Sequence, residues 1–235
     1  MVTFQYTQAL VDQFPGVVGG VIFAEGMSGG PSSDALKAAF TKEQQATIAR
    51  IGDDSLSEID SLAAWRAAFR RFGAQPTKHR SAAEALLRRL TKKGDIPSIN
   101  RLVDMGNLVS IRYGLPVAVF DLREVTGAGS VHLADGTERF VELGDETVKH
   151  PEVGEVVFSD ETEMVLARRW CWRQSAESAA REDTTMAIIT VEAQHDDGRG
   201  DVEAAVSDLL ALFKAHAGGT YTSAIVDASS PVASG

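Results

Sequence analysis

The sequence predicts an α+β fold, a single domain with mixed and antiparallel β-sheets flanked by helices, and three observations carry that prediction. Apolar, β-branched runs stand before, between and after blocks of helical periodicity, with no regular strand–helix alternation. The second half of the chain breaks into short strand-like runs separated by Gly, Asp and Pro, as at Asp135-Gly136. Hydrophobic residues make up 44% of the 235, enough for a real core, and no internal repeat interrupts it. The predicted domain covers residues 1–228, and the small residues 229–235 read as a flexible tail.

The elements follow in order. Val17 to Ala24, VVGGVIFA, reads as a buried strand whose glycines let other groups come close. Asp34 to Arg50 reads as a helix capped by Ser33 or Asp34 and ended by Gly52. Leu56 to Phe72 carries a broad apolar stripe near helical spacing and stops at Gly73. The next helix opens with the capping box Ser81-Ala-Ala-Glu84, turns Leu86, Leu87 and Leu90 inward, and ends at Gly94. A further helix is expected from Ser98, through Ile99, Leu102, Val103, Gly106 and Val109, until Gly114 and Pro116 stop it. Leu115 to Phe120 is the next strand. Ser130–Ala134, Arg139–Leu143, Glu155–Ser159, Met164–Trp172 and Met186–Glu192 then read as strands. A last helix capped by Asp201 and a strand at Thr220–Val226 complete the prediction.

Composition excludes several function classes. The longest apolar runs fall far short of the roughly 20 residues that span a bilayer and the first residues lack the pattern of a secretion signal, so a cytoplasmic location is expected. Cys171 is the single cysteine, and the five histidines are scattered, so neither a disulfide nor a metal site is expected. No phosphate-binding lysine loop, dinucleotide fingerprint or nucleophile elbow occurs. Gly26 to Gly30 can cradle a phosphate or be a plain loop.

Charge is distributed unevenly. Between Arg66 and Arg101 stand ten basic residues against two acidic ones, Glu84 and Asp95, a net of +8 inside a chain of net charge −10. The rest therefore carries −18. Such a segment suits a polyanion, or else it is the solvated face of two amphipathic helices.

The run Ile99 to Asp121, INRLVDMGNLVSIRYGLPVAVFD, resembles a stretch of the bacterial phenylalanyl-tRNA synthetase β subunit, in which I-x-x-x-V-D-x-T-N-x-V leads to G-x-P-x-H-A-F-D. Ile99, Val103, Asp104, Asn107, Val109, Gly114, Pro116, Phe120 and Asp121 match without a gap. Ala134 to Glu138 and Asp183 to Val191 resemble further pieces, while Pro76–Glu84 and Arg168–Gln174 resemble the free-standing B3/B4 proteins. The resemblance implies a single B3/B4-like domain of the kind that hydrolyses wrongly esterified tRNA, without the catalytic domain that charges it. The implied partner is misacylated tRNA, with a synthetase partner left open, and with no DNA, membrane, cofactor or metal called for.

Carried over residue by residue, the implied pocket holds Gly106 where the synthetase has Thr, Asn107, Pro116, and Ala118 where it has His. The acid that contacts the tyrosine hydroxyl falls near Thr190, and Glu192 on the same strand face can replace it. Trp172 and Thr185 complete the pocket. Asn107, Gln174 and Arg173 are the candidates for ester chemistry, which needs a positioned water and an oxyanion site but no covalent nucleophile. Backbone N–H groups near Gly106 or Ala118 could form that site. Lys78, Arg80, Arg88, Arg89, Lys92 and Lys93 are expected to hold tRNA phosphates. Trp170 and Trp172 share a face of the predicted strand, with Arg169, Cys171 and Arg173 opposite; either the tryptophans stack an adenine or they are core. With the histidine absent, the alternative is a binding module that has lost turnover.

Overall fold

Capping chemistry sets most helix boundaries. In the computed structural model, which describes residues 2–235, the chain opens with β1 (Thr3–Tyr6) and α1 (Gln8–Gln13), followed by β2 (Val18–Glu25). Helix α2 (Asp34–Ile51) begins where the Ser33 hydroxyl accepts the Leu36 N–H at 3.3 Å. A 3-10 turn at Leu56–Glu58 then precedes α3 (Asp60–Arg71), so the stripe predicted over Leu56 to Phe72 is two pieces, divided at the extended Ile59.

Helix α4 (Ala82–Lys93) is capped by Ser81, whose hydroxyl accepts the Glu84 N–H at 3.3 Å. Its reciprocal partner behaves differently, because the Glu84 carboxylate takes Arg66 at 2.7 Å and Arg80 at 3.6 Å. Helix α5 (Arg101–Tyr113) starts later than Ser98, at the cap Asn100, whose side chain accepts the Val103 N–H at 3.0 Å. Ile99 is left 62% exposed. The buried Asp104 fixes that start by accepting from Ser32 Oγ at 2.6 Å, the Ile99 N–H at 2.8 Å, and the Ser98 hydroxyl.

Strands dominate from there: β3 (Val117–Asp121), β4 (Gly129–Leu133), β5 (Phe140–Val141), β6 (Val148–Lys149), β7 (Val156–Ser159), β8 (Val165–Arg168), β9 (Arg173–Gln174) and β10 (Met186–Ala193). Helix α6 (Gly198–His216) starts ahead of Asp201, which instead meets His195 Nε2 at 2.9 Å, and β11 (Thr220–Asp227) follows. Residues 229–235 are not a frayed tail. They form β12 (Val232–Ser234), paired antiparallel with β1, and main-chain bonds join Val2 to Gly235. The predicted strand Met164–Trp172 is also cut short at Arg168, because Arg169 and Trp170 adopt φ of 44° and 60°.

Two sheets result, plus a small β5–β6 ribbon. The antiparallel sheet β11-β2-β10-β3 carries helices α2, α4, α5 and α6 over one face, with Leu102, Met105, Val109, Val119, Ile189 and Val206 in that core. Its other face meets the mixed sheet β12-β1-β4-β7-β8-β9 across a second core of Tyr6, Phe14, Trp65, Phe120, Phe158, Trp170 and Ile188. Gly20 is obligatory in this packing, since a Cβ there would lie 2.2 Å from Val206 of α6. Gly19, on the opposite face, leaves equivalent room for the Tyr6 hydroxyl. Among the described residues, no helix is long and apolar enough to cross a membrane.

Candidate functional site

Strand β3 is the edge of the four-stranded sheet, and its period-two alternation sorts its side chains. Ala118 and Phe120 face the second sheet. There a cavity of about 70 Å³ opens, lined by Ala82, Pro116, Val117, Ala118, Phe120, Phe158, Ala167, Trp170, Cys171, Trp172, Arg173, Gln174, Thr190 and Glu192. Register explains the grouping, because Thr190 pairs with Ala118 and Glu192 lies two residues along the same face of β10.

Glu192 is the buried acid of this cavity, only 2% exposed. Its Oε1 accepts the Tyr6 hydroxyl at 2.7 Å and Trp170 Nε1–H at 3.0 Å. Burial pushes its carboxyl up to about 7, against the opposing effect of those two donors. Tyr6 is raised well above its ordinary value by burial and by Glu192. Tyr6 reaches Glu192 across 186 residues of sequence, passing over Gly19, the cross-strand partner of Glu192. Sequence reasoning missed it for that reason.

The left-handed pair Arg169–Trp170 turns the chain sharply after β8. Trp170 consequently drops into the core, with ring centroids 5.1 Å from Trp65 and 5.0 Å from Phe14. Trp172 stays at the rim, half-buried, with the guanidiniums of Arg169 and Arg173 each 4.8 Å from its ring centre and His79 edge-on at 4.7 Å. The two tryptophans therefore do not share a strand face. A buried ion pair steadies the turn: Glu155 accepts Arg168 Nε at 2.9 Å and Nη2 at 2.8 Å, and the Arg169 N–H at 3.0 Å. Burial and the nearby Glu192 raise the Cys171 thiol well above its ordinary value, which keeps it a thiol instead of a nucleophilic thiolate.

Adjoining the cavity is an open groove lined by Lys78, Arg80, Arg88, Arg89, Lys92 and Lys93, together with Ala85, Trp172 and Arg173. All six predicted cations thus meet on one surface, and Trp172 and Arg173 belong to both groove and cavity. Arg80 and Arg89 have carboxylate neighbours, Glu84 at 3.6 Å and Asp95 at 3.3 Å. Lys78, Arg88, Lys92 and Lys93 have none among the described residues.

Three predicted residues lie elsewhere. Gly106 on α5 faces Val117 and Val119, where a Cβ would sit at 3.4 and 3.6 Å, on the helix side of the sheet. Asn107 beside it is half-buried, takes no hydrogen bond among the described residues, and is not in the cavity lining. Thr185 is exposed, just before β10 begins, about 17 Å of strand away from Thr190. Gln174 does line the cavity, but its Nε2 donates to Val119 and Ser178 carbonyls, both at 2.8 Å, leaving only Oε1 for chemistry. Arg173 is paired with Glu142.

The outer edge of β3 is covered at its C-terminal end, where Phe120 bridges Ala179 and the Asp121 N–H bonds the Ser178 carbonyl at 2.9 Å, and open before it. The Glu192 N–H bonds the Pro116 carbonyl at 3.3 Å, so Pro116, Ala118 and Phe120 direct main-chain groups toward β10. The N–H groups of Val117 and Val119 point to the outer edge, beside the Val119 carbonyl held by Gln174. A larger depression, about 640 Å³, lies between α3 and residues 194–197. It contains none of the motif residues, and its cation Arg71 is bound to the Gln13 carbonyl at 2.9 Å.

Comparison with known proteins adds three findings. The family model described as B3/4 domain matches residues 64–198, a span that holds the groove and the cavity but not Tyr6. The phenylalanine–tRNA ligase β subunit of Shewanella oneidensis is 31% identical over 98 residues, which is 42% of this chain and 12% of that protein. The chain thus spans only about an eighth of the length of this curated relative. A solved N-terminal fragment of the phenylalanyl-tRNA synthetase β subunit from Pyrococcus horikoshii superposes over 94% of this chain and 50% of that one, with a TM-score of 0.48 and 12% identity.

Proposed function

Because the chain belongs to the B3/4 domain family, we propose that it is a deacylase acting on misacylated tRNA in trans, cleaving the ester between amino acid and terminal ribose. The observation that carries this reading is the shared wall: a groove of six cations and a largely apolar cavity meet at Trp172 and Arg173. Phosphates of the tRNA occupy the groove, where neutralisation releases counterions. The acyl side chain enters the cavity and the ester lies at the junction. Water adds to the ester carbonyl there, yielding free amino acid and a free ribose hydroxyl. The outward N–H groups of Val117 and Val119 hold the oxyanion, a role open to backbone donors where side chains are few. Arg173, once drawn off Glu142, is free to contact the acceptor end, and Trp172 offers a stacking face for the terminal adenine.

A second reading rests on Ala118, which gives the cavity a methyl where the synthetase resemblance places an imidazole: the protein then binds aminoacyl-tRNA without turnover. A panel of mischarged tRNAs separates the two. The deacylase reading expects ester loss faster than spontaneous decay, falling more than tenfold when Arg88, Arg89, Lys92 and Lys93 are all replaced by Glu. It also expects affinity to fall steeply with salt. Unchanged decay with measurable tRNA binding supports the binding module, and neither binding nor decay sinks both.

A further inference from the structure

We propose that the cavity selects a short side chain bearing a hydroxyl, as in threonyl and seryl esters, and rejects aromatic and purely aliphatic ones. The inference rests on the deacylase reading above and names its substrate class.

Size gives the first argument. A cavity of about 70 Å³ is about half the size of an engineered cavity that takes benzene, about 150 Å³, so it suits a threonine side chain better than a phenol ring. One wall of that space is the Trp170 indole, which is wholly buried and held edge-on by Phe14 and Trp65. These two rings and the Nε1–H bond to Glu192 hold the indole in place against a larger ligand.

Polarity gives the second. Of the two Glu192 carboxylate oxygens, Oε1 is committed to Tyr6 and Trp170, while Oε2 takes no hydrogen bond among the described residues and belongs to a group lining the cavity. The Thr190 hydroxyl, on the same face and 2% exposed, is likewise without a partner among the described residues. An acceptor and a hydroxyl set among Phe120, Phe158 and Ala167 call for a ligand that donates and accepts at short reach. An isopropyl group of the same shape leaves both unsatisfied, and a site built to bond a hydroxyl discriminates strongly against the analogue without one.

The isosteric pair threonyl and valyl, on one tRNA body, isolates the hydroxyl. The wild-type protein is expected to hydrolyse the threonyl ester at least about 100-fold more efficiently in kcat/KM than the valyl ester, with the tyrosyl ester slower still. Thr190→Val and Glu192→Leu are both expected to bring the threonyl/valyl ratio toward one; the milder Thr190→Val serves if the other fails to fold. Hydrolysis of valyl or tyrosyl esters as fast as threonyl overturns the selection and leaves the deacylase reading standing. Equal loss on threonyl and valyl esters in Glu192→Leu assigns the carboxylate to the α-ammonium that all substrates share, and overturns it too. If no ester is hydrolysed, the deacylase reading fails. Calorimetric binding of amide-linked threonyl- and valyl-adenosine then tests the cavity alone, with equal affinities counting against the selection.

Discussion

The two faces of β3 carry residues one position apart in sequence and belong to different compartments. Val117 and Val119 lie beneath Gly106 of α5, with Val119 in the core shared by the helices and Val117, where the strand begins, also bordering the cavity. Ala118 and Phe120 look the other way, toward Phe158, Trp170 and the cavity. A gapless motif along the chain is therefore split in space, its helix residues on one side of the sheet and its alternate strand residues on the other. Substitutions on the two faces should differ in kind: those on the cavity face should change chemistry, and those on the helix face should change stability.

The sharpest attempt to break that division is Ala118→Phe. From a half-buried edge position the larger side chain is directed at a space of about 70 Å³ and blocks its entrance. Deacylation should fall about a thousandfold, about 4 kcal/mol of barrier, while tRNA affinity through the groove stays within about threefold. Activity within tenfold of wild type would separate the cavity from the chemistry.

Glu192→Gln probes the same face through stability. The carboxyl is raised from 4.5 to about 7, so between those values the folded state holds a proton that the unfolded chain has released. Wild-type stability should therefore decline as pH rises from about 4.5 to about 7, by about 3 kcal/mol, and level off above. Glutamine still accepts from Tyr6 and Trp170 but does not ionise. The variant should gain on the wild type through that window, reaching its full advantage near pH 8, by chemical denaturation. A difference independent of pH would mean that the acid is solvated.

On the helix face, Gly106→Ala should stabilise. The new methyl meets Val117 and Val119 at 3.4 and 3.6 Å, ordinary contact distances, and an interior helical glycine costs up to about 1 kcal/mol against alanine. A rise in melting temperature with unchanged kcat/KM is expected. Lost activity would place this glycine at the site after all.

Local chemistry explains how much was legible beforehand. Caps at Ser33 and Ser81, and the glycines closing α2, α4 and α5, fixed helices within a residue or two because each is a short-range device. The six groove cations were legible because they crowd into one short segment and one surface. The turn at Arg169–Trp170 was not, since positive φ at two non-glycine residues is imposed by Glu155 and by the core, not by local preference. Neither β1 nor β12 was legible, because each is held by partners across the whole chain, Thr3 with Ser234 and Phe4 with Gly129. The cavity's key contact, Tyr6 to Glu192, belongs to the same non-local class.

Asn107 lies closest to the boundary between the compartments, and its substitution is expected to have the smallest effect. The resemblance puts it in the pocket, while in three dimensions it stands on α5, on the helix side of the edge strand, outside the cavity lining. Its amide makes no hydrogen bond among the described residues, so truncation leaves no buried partner orphaned. Asn107→Ala should then cost no more than about threefold in kcat/KM, about 0.7 kcal/mol, with little change in melting temperature. The comparison that decides is with Ala118→Phe under one set of conditions. If Asn107→Ala matches its loss at unchanged stability, the amide reaches around the edge of β3 to the ester, and the sheet does not separate the two faces functionally as it separates them in packing.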